Sequence, residues 1–336
     1  MATLNKEYNE FDGVVKLTPS KKESLKTSSK NLRTRIQNWF KENKPKELQP
    51  KFHSQGSMKM NTSINPIVEY DEEGNKLYKY DLDDGIYFIE KEGENNRKSI
   101  DTWHDWVFQS VDGYTSKTPI RKTTCIRVVF SDGHHIDLPI YYNDEEIELA
   151  HRSKGWILSD PKAFYQWFNN EKKEKFRLEA IVRCLKAWKN FRENKNSNLK
   201  LPSGFELTIL ATNNYVDKDN LDDAFRLTVK AILETLNEKF ECFRPTTPDD
   251  EDLFQSYSQT RKENFMNTLE SLVNDCEKAK EEDNFKKASE ILRNNQFGDR
   301  FPLGKDEDEK TRSNMLSSAL GSATITPKPY ADTERN

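Results

Sequence analysis

Apolar residues recur along this chain with two different periods. From Lys76 to Tyr142 they fall in short runs rich in Ile, Tyr and Phe, bounded by turn residues, as in β-strands. Beyond Pro161 they recur every three or four positions, as in helices that bury one stripe. The period changes at Ser159-Asp160-Pro161, a cap and helix start. The pattern therefore predicts an α+β chain: a mixed sheet domain over 1–160, a helical domain over 161–304, and a cleft between them.

In the first part, Lys76–Ile89 reads as one strand entered from the turn Glu73-Gly74-Asn75. Thr123–Phe130 and His135–Tyr142 read as a hairpin turning through Ser131-Asp132-Gly133-His134. A helix capped by Ser20 carries Leu25, Leu32, Ile36, Trp39 and Phe40 before Asn43-Lys44-Pro45 ends it. A second helix carries Ile100, Trp103, Trp106, Val107 and Val111, and Gly113 stops it. Residues 1–19 read as an arm, mobile or docked on an edge. In the second part, helices are expected over 161–170, 171–193, 204–215, 220–239, 249–280 and 283–295. From Lys305 the chain turns charged and then Ser/Thr/Pro-bearing, and 305–336 reads as a flexible tail.

The strand parity carries chemistry. Side chains two apart in a strand share a face, so Asp81 and Asp83 stand side by side with Leu82 pointing the other way. Asp137 interrupts the apolar run between Ile136 and Leu138, where a lone buried carboxylate is costly without a partner or metal. If the two strands are neighbours, three hard oxygen donors converge, and two Mg²⁺ ions about 3.5 to 4 Å apart would suit an in-line displacement at phosphorus. Upstream, Gln55-Gly56-Ser57 offers a small-residue turn with a free N–H and a hydroxyl, the kind of turn that cradles a phosphate. Arg183 and Lys186 are three apart on one helix face and could neutralise a triphosphate, although spacing alone favours a solvated charged face. Ser203 reads as a helix cap beside the cleft, compatible with a phosphate contact.

Composition narrows the classes. Charged residues make up 33% and hydrophobic ones 34%, the balance of a water-exposed globular protein. The net charge of −4 disfavours a grip on long nucleic acid. With no apolar run near the ~18 residues of a membrane span and no signal-peptide core at Met1–Lys6, the expectation is a cytoplasmic protein without a membrane partner. Cys125, Cys184, Cys242 and Cys276 lie far apart and read as reduced packing residues. His134 and His135 read as solvent-facing turn residues rather than metal ligands.

Several motifs together resemble the polymerase β type nucleotidyltransferases. More narrowly they resemble the bacterial cyclic-oligonucleotide synthases, the CD-NTase enzymes, in the branch typified by the Vibrio cyclic GMP-AMP synthase. They are Gln55-Gly56-Ser57-Met58-Lys59, Tyr80-Asp81-Leu82-Asp83-Asp84-Gly85, Trp103-His104-Asp105-Trp106-Val107, His135-Ile136-Asp137-Leu138-Pro139, Val182-Arg183-Cys184-Leu185-Lys186, Leu201-Pro202-Ser203-Gly204 and Phe297-Gly298-Asp299-Arg300-Phe301-Pro302. The resemblance implies that Asp81, Asp83 and Asp137 are catalytic and hold two Mg²⁺ ions, Mn²⁺ being an alternative. It implies that Gln55, Gly56, Ser57, Arg183, Lys186 and Ser203 contact nucleotide. It further implies NTP substrates, ATP and/or GTP among them, a cyclic di- or trinucleotide product released with pyrophosphate, and a downstream effector in anti-phage (CBASS) signalling, with accessory proteins possible. The long gap between Gly56 and Asp81 departs from the simplest polymerase β pattern and calls for an inserted hairpin around Glu72–Asn75. No Cys/His insertion follows Asp137, which argues against the animal DNA-sensing branch. The rival readings are a template-independent enzyme that makes linear oligonucleotides or modifies an RNA end, a non-enzymatic nucleotide-binding module, and a structural protein. Only the first uses all three acids.

Overall fold

The computed structural model describes residues 3–315 apart from 71, 72, 75, 78, 309, 312 and 313. After α1 (Asn5–Val15), which packs with the helices of the second lobe, the first lobe is built from α2 (Pro19–Asn43), β1 (Lys51–Gln55), α3 (Gly56–Lys59), β2 (Glu69–Tyr70), β3 (Lys76–Leu77), β4 (Asp81–Ile89), α4 (Ile100–Val111), β5 (Ile120–Arg121), β6 (Cys125–Val129), β7 (His135–Asn143), β8 (Ile147–His151) and β9 (Gly155–Leu158). The second contains α5 (Pro161–Glu171), α6 (Leu178–Lys195), α7 (Gly204–Asn213), α8 (Leu221–Glu238), α9 (Gln259–Glu281) and α10 (Phe285–Leu292). Among the described residues no helix is long and apolar enough to cross a membrane.

The main sheet runs β1-β4-β7-β6-β5, with β8 on β7 and β9 on β8. Among the described residues only the central β4–β7 pair is parallel, and its register sets Asp81 opposite His135 and Asp83 opposite Asp137. Parity sorts the two faces. Leu82, Ile86 and Phe88 of β4, Ile136, Leu138 and Ile140 of β7, and Ile126 and Val128 of β6 pack into a core with Leu25, Leu32, Ile36 and Phe40 of α2 and Trp103 and Val107 of α4. Phe88 stacks on Trp103 with ring centroids 3.9 Å apart. Asp84 points into that core, where Ser29 donates to it at 2.6 Å and the half-buried Arg33 makes an ion pair with it, so this acid ties α2 to the sheet.

Several expectations need correction. The strand expected over Lys76–Ile89 is two pieces. β3 pairs with β2 in a separate two-stranded sheet, and only β4 joins the main one. Those short strands are the inserted hairpin, although Glu72 and Asn75 at its turn lie outside the described residues. Two strands were not anticipated: β8, which starts inside the acidic run after Asn143, and β9 beyond it at Gly155–Leu158. The helix expected over 171–193 is broken by a turn between α5 and α6, leaving Phe176 82% exposed instead of in the stripe. Thr18, not Ser20, caps α2, because Pro19 takes the first helical position. The helix expected over 249–280 begins only at Gln259, capped by Ser258. The tail is attached at its start: Asp308 bridges to Asn284, and the Glu307 carbonyl accepts from the Phe285 N–H. Residues 316–336 lie outside the described residues.

The N-terminal residues are not an arm. Tyr8 and Phe11 of α1 are fully buried, within 5.3 Å of Phe225 and 4.8 Å of Phe297 respectively. The Leu4 N–H donates to Asp222 at 2.8 Å. Arg183 of α6 grips Asp12 through two bonds of 2.7 and 2.8 Å and donates to the Asn61 carbonyl at 2.6 Å. Thus α1 belongs to the helical core, and one guanidinium ties it to the chain leaving α3. Replacing Arg183 by Leu leaves Asp12 without its counter-charge. Urea denaturation should then show a loss of about 3 kcal/mol, near the lower end for a buried pair because the Asp12 side chain keeps 19% exposure.

Candidate active site

The site lies on the face of the sheet opposite α2 and α4, where odd-numbered residues of β4 and β7 point. Asp83 and Asp137 are direct register neighbours, and the donor atoms of Asp81, His135 and Asp137 all lie within 4.8 Å of one another. Arg127 of β6 stands opposite Asp137 and donates to both of its carboxylate oxygens at 2.7 Å. Burial first, then the charges of Asp81 and Asp137, push the Asp83 carboxyl up to about 8, with Arg127 and Lys186 opposing the shift. Like-charged oxygens held this close fit a divalent cation, because their mutual repulsion is what such an ion relieves.

Gly56 adopts φ +69°, and a Cβ there would lie 2.2 Å from Asp83 Oδ2. Only glycine lets the chain leave β1 and turn into α3 directly beneath the acid. Ser57 shares a hydrogen bond with Ser63 across that turn at 2.9 Å. Lys186 reaches in from α6, donating to Thr62 O at 3.3 Å and Thr62 Oγ1 at 3.2 Å. Burial lowers its pKa to about 8, while Asp81 and Asp83 pull it back up.

Two cavities flank the acids. One, of about 470 Å³, is lined by Gly56, Ser57, Asp81, Asp83, Lys186 and Lys189 among others. The second, of about 300 Å³, is lined by Asp83, Asp137, Tyr141, Tyr165, Phe205 and Arg244 among others. Gly56, Met60, Asp83 and Phe205 belong to both.

The structure brings Gly56, Ser57, Asp81, Asp83, Asp137 and Lys186 together, sets Arg183 and Ser203 apart, and leaves Gln55 at the wall of the second cavity. Arg183 is buried against Asp12 and does not line either cavity, so its charge is used for packing. Ser203 caps α7 in a capping box with Glu206, and it is the next residue, Gly204, that faces the first cavity. Gln55 touches the second cavity, but its amide is engaged by Tyr141 at 2.8 Å and Tyr87 at 3.2 Å. The histidine pair is also corrected. His134 is 4% exposed and bonded to Asp132 and Ser28, while His135 faces Asp81. Arg127 was missed, yet the tight turn after Phe130 sets Arg127 against Asp137 by counting back along the hairpin. Arg244 carried no local signal.

Residues 50–141 match the family described as cyclic GMP-AMP synthase DncV-like, nucleotidyltransferase domain. A curated cyclic GMP-AMP synthase of Escherichia albertii is 32% identical over 195 residues, which are 55% of this chain and 42% of that protein. The chain thus spans less than half of that relative's length. The crystal structure of Vibrio cholerae DncV cyclic AMP-GMP synthase, a prokaryotic cGAS homolog, superposes with a TM-score of 0.74 at 21% identity, covering 89% of this chain and 97% of that one. A second structure of that synthase, in complex with the linear intermediate 5′ pppA(3′,5′)pG, gives 0.72 at 21% identity, covering 89% and 98%.

The raised Asp83 pKa sets a pH dependence in metal-free protein. Between the unfolded carboxylate value, ~4, and about 8, the folded state holds a proton that the unfolded chain has released. Stability should therefore fall as pH rises through that window and level off above it. Denaturation in chelator between pH 5 and 8 should show a steeper fall for the wild type than for Asp83→Asn. Equal slopes would remove the repulsion argument.

Proposed function

We propose, from the premise that residues 50–141 are a DncV-like nucleotidyltransferase domain, that this chain joins nucleoside triphosphates into a cyclic oligonucleotide and releases pyrophosphate. The observation that supports this most is the β4–β7 register, which gathers three carboxylates at the junction of two cavities. Each cavity has the size of a small-molecule site, which favours two mononucleotides over a long RNA acceptor.

Asp81, Asp83 and Asp137 would hold two Mg²⁺ or Mn²⁺ ions, a hard oxygen set that suits either metal. Bound there, the ions supply charge neutralisation of the triphosphate and a lowered pKa at the attacking hydroxyl. In the first cavity, Ser57 and the α3 backbone position the donor phosphates, and Lys186 and Lys189 offset their charge. In the second, Tyr165, Phe205 and Arg244 hold the acceptor, whose ribose hydroxyl then faces Asp83 and Asp137. The hydroxyl oxygen attacks the α-phosphorus of the donor, its proton passes to Asp137, and the bond to pyrophosphate breaks. A second transfer in the same cleft closes the ring. The Vibrio structure with a linear dinucleotide intermediate supports this order of two steps. ATP and GTP are the substrates suggested by the names of the relatives. The product then acts as a second messenger on an effector in phage defence, in the cytoplasm where the triphosphates are.

Purified protein given one α-labelled NTP at a time among all four, with Mg²⁺ or Mn²⁺, should yield label that survives phosphatase. Asp81→Ala, Asp83→Ala and Asp137→Ala should each lower the rate by about 10³-fold or more. Lys186→Ala should raise KM for the donor more than it lowers kcat. Label that is wholly phosphatase-sensitive would replace the cyclic reading with the linear one, and no incorporation in any condition would remove both.

A further inference from the structure

We propose that His135 gives a ring nitrogen to the divalent ion held between Asp81 and Asp137, and that this ligand biases the position towards Mn²⁺ over Mg²⁺. The inference rests on the metal-dependent reading above and identifies a ligand that three carboxylates alone do not contain.

Three observations carry it. First, His135 and Asp137 are two apart on β7 and so share a face, and the parallel register sets His135 directly across from Asp81. Second, one ring nitrogen of His135 and one oxygen from each of Asp81 and Asp137 lie within 4.8 Å of one another, close enough for a small side-chain adjustment to bring all three onto one ion. Third, Arg127 already occupies both oxygens of Asp137 at 2.7 Å. Asp137 therefore has only its remaining lone pairs for a metal, and a further donor at this position completes the set.

The neighbouring histidine sharpens the assignment. His134 points to the α2 side, stacks on Phe130 at 4.3 Å and bonds Asp132 and Ser28, so its ring is used in packing. Alternation along the strand splits the pair, one ring for the core and one for the cleft. The consequence for metal choice is chemical. Mg²⁺ takes oxygen ligands almost exclusively, whereas transition ions accept imidazole, so a mixed nitrogen and carboxylate set suits Mn²⁺ better.

The test uses the full chain loaded with Mn²⁺ in the absence of nucleotide. Electron spin-echo modulation of the bound Mn²⁺ should show a directly coordinated ¹⁴N, and labelling the protein with ¹⁵N-histidine should convert that signal to the ¹⁵N pattern without any substitution. Titration should show that His135→Gln weakens Mn²⁺ binding by about tenfold or more while changing Mg²⁺ binding little. Mn²⁺ that binds in an Asp81- and Asp83-dependent way with no histidine nitrogen coupling would overturn the inference and leave the nucleotidyl transfer reading standing. Absence of any Mn²⁺ or Mg²⁺ binding that Asp81→Ala and Asp83→Ala diminish would overturn both.

Discussion

Crowding of negative charge at the centre of the sheet is the constraint around which this molecule is arranged. A parallel pair of strands places Asp83 against Asp137 with Asp81 one step along, and nothing in a strand ladder can separate them. Burial, together with their repulsion, pushes the Asp83 carboxyl up to about 8. The counter-charges come from different directions. Arg127 reaches Asp137 from the neighbouring strand, and Lys186 approaches Asp81 and Asp83 from the helical lobe. The cluster is thus only partly neutralised by the protein, which leaves it suited to a cation and to a polyphosphate that brings one.

The helical lobe supplies more than a wall. Its helix α6 grips the segment that follows the Gly56-Ser57 turn: Arg183 holds the Asn61 carbonyl, Glu179 accepts from the Asn61 side chain, and Lys186 holds Thr62. Arg300 takes the Asn65 carbonyl from the far side. Asn61 itself sits at φ 59°, a left-handed conformation that asparagine tolerates better than most residues. Residues 61–65 are therefore fixed from several directions, and Gly56 and Ser57 inherit a defined place beneath Asp83. Charges that looked available for ligands are consumed here. Arg183 shows this most clearly, since its partner Asp12 arrives from the opposite end of the chain.

The same division of labour appears in the acidic run Asp81-Leu82-Asp83-Asp84. Three carboxylates in four residues serve two purposes by parity alone. Asp81 and Asp83 face the cleft, while Asp84 is fully buried on the other side with Arg33 and Ser29. The adjacent histidines His134 and His135 divide in the same way. A β-strand converts adjacency in sequence into opposition in space, so neighbours of like chemistry acquire unlike roles.

What the sequence by itself determined follows from short-range rules. Period-two alternation placed Asp81 and Asp83 on one face, the turn at Ser131–His134 made the β6–β7 hairpin, the 3.6 period marked the helical lobe, and Gly56 before Ser57 marked the turn beneath the acids. Each depends on bond geometry and neighbours a few residues away. Tertiary structure decided what depends on distant partners. Whether α1 docks was set by Phe225, Phe297 and Arg183, whether Arg183 meets phosphate was set by Asp12, and whether His135 faces solvent was set by Asp81 on another strand. Local pattern states which way a side chain points from its own strand or helix. The identity of the group it meets depends on which segments the fold brings opposite, and that is a property of the whole chain.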